Sequence, residues 1–385
     1  MSNRSGASPG PAGREPPSPD GTNRQSAVER PDPQPDPSWG PASAWGRAAA
    51  ADWSLDDVRQ FLAAYGRVPA HLDAAPLPGG WENLNLRLDA DGEQFVLRRY
   101  DVTAPDEVRW EIELVRFLTV RGFPTPALIE RVDGEALGAF GGQPAALFAY
   151  VAGRHPRPDA PRAGETAATI VAELHLLTAG LALPYPRTRL DNRQRLQRFQ
   201  AWCLARGVAG VEPGLRRLLD QTHEYGAEFA ARLAAVEGRH GPLPHGVVHH
   251  DAHGNNLLFD DVGRLVALLD FDDAHETFLL ADLAVLLNAW GIERVHYQFE
   301  PERARRVLAA YACRRSLSAA EWDLLPDAMA LFNLADAASY VTGRIWEGQP
   351  ADRAVADCGQ YARFCERTAT PDWRDRLRAQ LALDR

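Results

Sequence analysis

The chain has 385 residues, 45% of them apolar and 24% charged, with 42 basic and 52 acidic side chains for a formal charge of −10. That length and mix suit a soluble protein of two lobes, ~100–250 residues each, and exclude a single small domain, a fibre or a wholly disordered chain. The acidic balance argues against a nucleic-acid partner, which would concentrate positive charge, and suits neutral or cationic small molecules.

Residues 1–50 hold ten of the 29 prolines and few aliphatic side chains, a composition that predicts a disordered tail. From Ser54, in cap position, Leu55, Val58, Phe61, Leu62 and Tyr65 recur at helical spacing. Two alternating runs, Leu84 to Leu88 and Gln94 to Arg99, flank Asp89-Ala90-Asp91-Gly92, the turn chemistry of a hairpin. Pro105 to Arg121 reads as a helix with Val108, Ile112, Val115 and Leu118 on one face and Gly122 as its stop. Ala127 to Arg131 and Ala145 to Tyr150 read as further strands. Residues 51–151 therefore form a small antiparallel sheet with a helix, and residues 152–385 a mostly helical lobe, an α+β architecture without internal repeats. Helical periodicity is interrupted at Gly246 to Asp270, where short apolar runs alternate with turn residues.

No lysine occurs, so all 42 basic residues are arginines. Cys203, Cys313, Cys358 and Cys365 form no CxxC pair, which gives neither a zinc knuckle nor a disulfide framework and suits a reducing cytoplasm. The most apolar stretch, Phe278 to Ile292, is broken by Asp282 and Asn288, and no leader pattern opens the chain, so secretion and membrane contact are not expected.

The interruption carries the chemistry. Asp251 follows an apolar run, Asn256 lies five residues on, and Asp270 comes at the end of a second apolar run, followed by Asp272 and Asp273. Phosphoryl transfer needs such a set: one carboxylate to orient a hydroxyl and take its proton, and an amide and a carboxylate to hold magnesium against phosphates. At these residues the chain resembles the phosphotransferase family that includes aminoglycoside, choline and homoserine kinases and has a two-lobed, protein-kinase-like fold. The resemblance lies in His249-x-Asp251-x-x-x-x-Asn256, in Asp270, and in the helix that opens Asp282-Leu283-Ala284. It runs from about Leu55 to Cys365.

The resemblance implies Asp251 as catalytic base, His249 as the brace of its loop, and Asn256, Asp270 and Asp272 as ligands of Mg²⁺. It also implies that Gly79 to Asn85, with Gly80 and Asn83, covers the phosphates of ATP. Arg98 stands in the phosphate-gripping position with Glu111 as its ion-pair partner, and Tyr150 and Val151 offer backbone groups to adenine. Three positions depart from the common pattern: Arg98 replaces a lysine, His250 a small residue, and Asn255 precedes Asn256. Arginine keeps the charge and offers a bidentate fork, with a different reach.

His245, His249, His250 and His253 invite a metallohydrolase reading, but neither H-x-H-x-D-H nor H-E-x-x-H is written here. His175 reads as a packed helix histidine, Asp282 as an acceptor for the catalytic loop or a helix cap, and Arg344 as a helix-surface arginine. The resulting expectation is a cytoplasmic monomer or homodimer, an ATP- and Mg²⁺-dependent phosphotransferase acting on a hydroxyl of a small molecule. An amino alcohol or homoserine-like acceptor comes first, with an aminoglycoside-type antibiotic or a catalytically weak nucleotide-binding scaffold as alternatives.

Overall fold

Ser54 opens the first helix as a reciprocal cap: its hydroxyl accepts the Asp57 N–H at 3.2 Å and its own N–H reaches Asp57 Oδ2 at 2.8 Å. The computed structural model describes residues 53–77, 83–157, 160, 162–205, 213–293, 296–346 and 348–381; the expected tail and the Gly79–Glu82 part of the phosphate-covering loop, including Gly80, lie outside these. The first half runs α1 (Leu55–Ala63), β1 (Leu72–Pro76), β2 (Asn83–Ala90), β3 (Glu93–Tyr100), α2 (Pro105–Val120), β4 (Leu128–Ile129), β5 (Leu137–Phe140) and β6 (Gln143–Ala149). All strand pairs are antiparallel, in the order β1-β2-β3-β6-β4, with β5 also on β6.

The two-residue period of the strands decides which side chains share a face of the sheet. Leu84, Leu86, Leu88, Phe95, Leu97, Ala145 and Leu147 form one buried face with Val58, Phe61 and Leu62 of α1. Each fully buried leucine of this kind contributes about 1.5–3 kcal/mol. The opposite parity, Tyr100, Ala146 and Phe148, joins the core that includes Val108, Ile112 and Leu118 of α2 and runs on into the helical half. Asn83 on β2 and Arg98 on β3 share that second parity, so the strand alternation alone turns them away from α1 and toward α2 and the helices.

In this half two strands lie outside the sequence expectation. β1 offers Ala74, Ala75 and Pro76, with only Leu72 buried, and β5 contains Gly138; neither has the β-branched alternation that marks a strand. Both are edge pieces recruited by their neighbours.

The second half runs α3 (Ala163–Leu177), α4 (Asn192–Ala205), α5 (Pro213–His240), β7 (His245–Val248), β8 (Leu257–Phe259), β9 (Leu265–Leu268), β10 (His275–Phe278), α6 (Leu280–Gly291), β11 (Ile292–Glu293), β12 (Gln298–Phe299), α7 (Pro301–Arg314), α8 (Ala319–Trp346), α9 (Ala351–Thr368) and α10 (Pro371–Gln380). β7 pairs with β10 and β8 with β9. The β8–β9 register sets Leu257 opposite Leu268, and the Leu269 N–H donates to Asn256 O at 2.8 Å. The hairpin thus folds a separation of fourteen residues into near neighbours, Asn256 beside the approach to Asp270. Among the described residues no helix is long and apolar enough to cross a membrane.

Candidate active site

The segment from His249 to Asn256 leaves β7 and turns sharply at His250, whose φ of +67° is left-handed. A non-glycine residue holds that conformation when its surroundings over-determine it. Here the determinant is Asp282, in the first turn of α6 and fully buried: Oδ2 accepts the His249 N–H at 2.8 Å and Oδ1 the His250 N–H at 2.6 Å. His175 of α3 gives Asp282 a third bond at 2.9 Å, and its other nitrogen meets Tyr311 Oη at 2.6 Å. Burial acts to raise the Asp282 carboxyl, yet the hydrogen bond and charge of His175, the charge of His249 and the His249 N–H hold it below the usual carboxylate range.

The histidine brace is equally specific. His249 Nδ1 accepts the Asp251 N–H at 3.2 Å, which leaves Nε2 as the protonated nitrogen donating to Leu269 O at 2.9 Å. Asn256 Nδ2 donates to Asp251 O at 2.9 Å and to Asp251 Oδ2 at 2.7 Å. The other carboxylate oxygen, Oδ1, has His253 Nε2 at 3.4 Å. Asp251 is therefore fixed in rotamer by an amide and remains partly exposed.

Asp270 is again left-handed, with φ +63°. Arg98 spans both nearby acids through one nitrogen, Nη2, at 2.8 Å from Asp270 Oδ1 and 2.5 Å from Asp272 Oδ2. Burial works against the charge of Arg98, but Asp272 and Asp270 hold its pKa above the ordinary value. Desolvation acts to raise Asp270, and the Arg98 charge and hydrogen bond bring it below its ordinary value. Asp273 pairs with Arg195 of α4 at 3.2 Å, and that charge overcomes burial and holds its carboxyl below the usual carboxylate range.

Four sequence expectations are corrected. Glu111 is not paired with Arg98: it is 2% exposed, accepts from Tyr100 Oη at 3.0 Å through Oε1, and its Oε2 has no hydrogen-bond partner. Two ionised acids on one side outcompete Glu111, which burial and the neighbouring Asp272 push up to about 8, leaving it neutral at pH 7. Asn83 is no loop residue: paired in register with Tyr100, it begins β2 and gives its amide N–H to Asp272. At the hinge, the Tyr150 N–H is taken by Gln94 O at 3.2 Å, so it is not among the groups Tyr150 and Val151 can offer a base. Arg344, read as a surface residue, is 8% exposed, beside the Tyr340 ring.

His250 is 3% exposed with neither ring nitrogen bonded, packed edge-on to His275 at 5.0 Å and Phe332 at 6.1 Å. Burial, then the charges of Arg195 and His275, lower its pKa well below that of a free histidine. Sequence reasoning also missed Arg187, Arg189 and Arg195, which hold the Asp270 loop from a proline-flanked connector and from α4.

The donor set fits magnesium on chemical grounds. Asp270, Asp272 and the Asn256 amide are hard oxygen ligands, Asp272 Oδ1 is a buried acceptor without a partner, and the acids already converge on a cation, the Arg98 guanidinium. Among the described residues no three His, Cys, Asp or Glu side chains form a ready metal cage. Magnesium retains waters and phosphate oxygens and does not require one.

Comparison with known proteins follows this geometry. Residues 73–325 match the phosphotransferase enzyme family. A homoserine kinase of Pseudomonas aeruginosa (strain LESB58) is 32% identical over 271 residues, 70% of this chain and 80% of the relative. One from Rhodospirillum rubrum is 33% identical over 283 residues, 72% of this chain and 83% of the relative. Among solved structures, a microcompartment-associated aminopropanol kinase superposes with a TM-score of 0.60 at 21% identity, covering 81% of this chain and 95% of its own. An amicoumacin kinase gives 0.62 at 16% identity over 83% of this chain and 96% of its own. At these identities the two structures speak to fold alone, whereas the sequence matches speak to descent: the chain belongs to the phosphotransferase enzyme family, and its chemistry is phosphoryl transfer.

Proposed function

We propose that this enzyme moves the γ-phosphoryl group of Mg²⁺·ATP to the hydroxyl of a homoserine-like amino alcohol. The observation that carries the reading is the Asp251 carboxylate, locked by Asn256 and the His249 brace, with the β8–β9 hairpin bringing Asn256 beside the approach to Asp270, which Arg98 ties to Asp272. Asp251 orients the acceptor hydroxyl and accepts its proton as the oxygen attacks phosphorus, while the bond from the γ-phosphorus to the bridging oxygen breaks and ADP departs. Magnesium, held by Asp270 and Asn256 with Asp272 beside them, would neutralise charge on the β- and γ-phosphates. Arg98, once released from the acids, has the reach and the fork to grip a phosphate. Most of the acceleration comes from positioning and charge compensation.

The amino-alcohol class is supported by homoserine kinase relatives at 32–33% identity and by the carboxylates around the cleft, which suit an ammonium group. The test is ADP release from ATP and Mg²⁺ with homoserine and a panel of amino alcohols, Asp251→Asn serving as control. Turnover with one of these that collapses in the variant supports the reading; a variant as fast as wild type removes Asp251 from the role of base. Turnover only with polycyclic or aminoglycoside acceptors overturns the substrate class.

A further inference from the structure

Between α3 and α4 the chain runs through Pro184-Tyr185-Pro186-Arg187-Thr188-Arg189 without helix or strand. Two prolines keep this connector extended and unable to donate at two positions, a poor place for a side chain to be held without a reason. Yet the Arg187 side chain is 3% exposed. Its guanidinium is spent almost entirely on backbone carbonyls: Nε donates to Ala274 O at 2.7 Å, Nη2 to Phe271 O at 3.1 Å and to Asp272 O, and Nη1 to Glu107 O at 3.2 Å. The flat of the same group lies 5.0 Å over the Trp110 ring. Arg189 adds a second bond to Asp272 O at 2.8 Å and reaches Thr103 Oγ1 at 3.5 Å, and Thr188 Oγ1 bonds Glu107.

Three segments thus meet on one cation. The first is α2, which carries Glu111 one turn beyond Glu107. The second is the loop Phe271 to Ala274, which carries Asp272 and follows the left-handed Asp270. The third is the connector itself. Three carbonyls in a four-residue loop define its path closely, and the path of that backbone sets where the Asp270 and Asp272 carboxylates point. Only a planar fork can serve acceptors in this fan; an ammonium group would carry the charge without the geometry. Arg187 makes no hydrogen bond to the carboxylate of Asp270 or Asp272, so its bonds to the acid loop run through the main chain, while its charge also acts on Glu111 and Asp272.

We propose that Arg187 is the positioning residue of the metal–nucleotide site: it staples the acid-bearing loop to α2 so that the Asp270 and Asp272 carboxylates keep one geometry toward the metal. The proposal rests on the assignment of those two acids under the proposed function, and the experiment separates the two.

Mn²⁺ binding in the presence of the non-hydrolysable analogue AMP-PNP is measured by calorimetry on wild type, Arg187→Met and Arg187→Lys, alongside thermal unfolding, kcat and the Mg²⁺ concentration for half-maximal rate. The expected result is at least tenfold weaker Mn²⁺ binding and an equal rise in the Mg²⁺ requirement in both variants. AMP-PNP affinity without metal stays within about twofold, and lysine restores little, because geometry rather than charge is lost. A purely structural arginine would lower the unfolding temperature and leave the metal constants alone; that outcome overturns the proposal. Should Arg187→Met fail to fold, Arg189→Gln, which removes one bond to Asp272 O, must shift the same constants in the same direction by a smaller factor, and an unchanged Mn²⁺ constant there overturns it too. If wild-type protein binds no Mn²⁺ with AMP-PNP, the proposed function itself fails and this inference falls with it; if wild type binds and both Arg187 variants bind equally well, only this inference fails.

Discussion

The loop of Asp251 and the loop of Asp270 solve the same physical problem with opposite charges. Irregular backbone in a packed interior leaves N–H and C=O groups that need partners. Around Asp251 the unmet groups are donors, and a buried anion, Asp282, takes the N–H groups of His249 and His250. Around Asp270 the unmet groups are acceptors, and cations, Arg187 and Arg189, take the carbonyls of Phe271, Asp272 and Ala274. The functional side chains differ in the same way. Asp251 is bonded by a neutral amide and stays partly open, while Asp270 and Asp272 are bridged by Arg98, a cation that the metal would replace under the proposed function. One loop is complete as it stands, and the other, under that proposal, exchanges its partner.

Removing the Asp251 charge breaks the comparison most sharply. Asp251→Asn keeps the size and can still meet Asn256, but cannot take a proton; kcat is expected to fall by ~10²–10⁴ with little change in unfolding temperature. Single-turnover kinetics beside a melting curve check both halves of that statement. A fall in stability equal to that of a buried-charge variant would mean that the loop was not complete without the carboxylate.

Next in size is the anion beneath that loop. Asp282→Asn removes the charge shared by two N–H groups and His175, and it should destabilise the protein by about 3 kcal/mol in urea unfolding. A loss near zero would show that the surrounding dipoles, rather than the carboxylate, hold His250 in its left-handed turn.

On the other loop, Arg98→Met should tighten Mn²⁺ binding to the nucleotide-free protein by about tenfold, since two carboxylates lose the cation that spans them. The same variant should lower kcat, as the proposed phosphate grip is gone. Equal Mn²⁺ affinities in wild type and variant would mean that the metal and Arg98 do not compete for Asp270 and Asp272.

The smallest effect is a pH dependence near the boundary of the two loops. Burial depresses the folded-state pKa of His250 below the 6.5 of the unfolded chain, so below about pH 6.5 the unfolded state binds the extra proton. The His250 contribution to stability is intact above that value and is lost as the pH falls, at up to about 1.4 kcal/mol per pH unit. Glu111 works in the opposite sense: raised from 4.5 to about 8, it keeps its proton in the folded protein, and stability falls as the pH climbs between those values. Comparing wild type with His250→Gln between pH 5 and 7 cancels Glu111. A stability difference that does not change with pH would place the His250 proton elsewhere.

Much of the site was legible because its members lie in short runs with a local signature. Asp251 and Asn256 follow an apolar strand, Asp270 ends another, and the spacing between them is closed by one hairpin. α1 and α2 were legible from apolar spacing and from Ser54 and Pro105 at their starts. Partner choice was not legible. Asn83 meets Asp272 across 189 residues, and nothing near either one announces the other. Arg187 and Arg189 bond main-chain carbonyls more than 80 residues away, and a carbonyl carries no mark of residue type. Glu111 was assigned to Arg98 by position along the chain, whereas the guanidinium follows the summed field of every acid in reach.

The amino-acid order by itself determined which chemical groups exist and which of them fall on the same strand face or loop, since steric periods of two and 3.6 residues operate over a few neighbours. Only the tertiary structure decided which acid receives Arg98, which histidine stays neutral and which arginine holds the acid loop. Charge and desolvation act through space over several ångströms in a poorly screened interior, and their outcome depends on every element packed around the group.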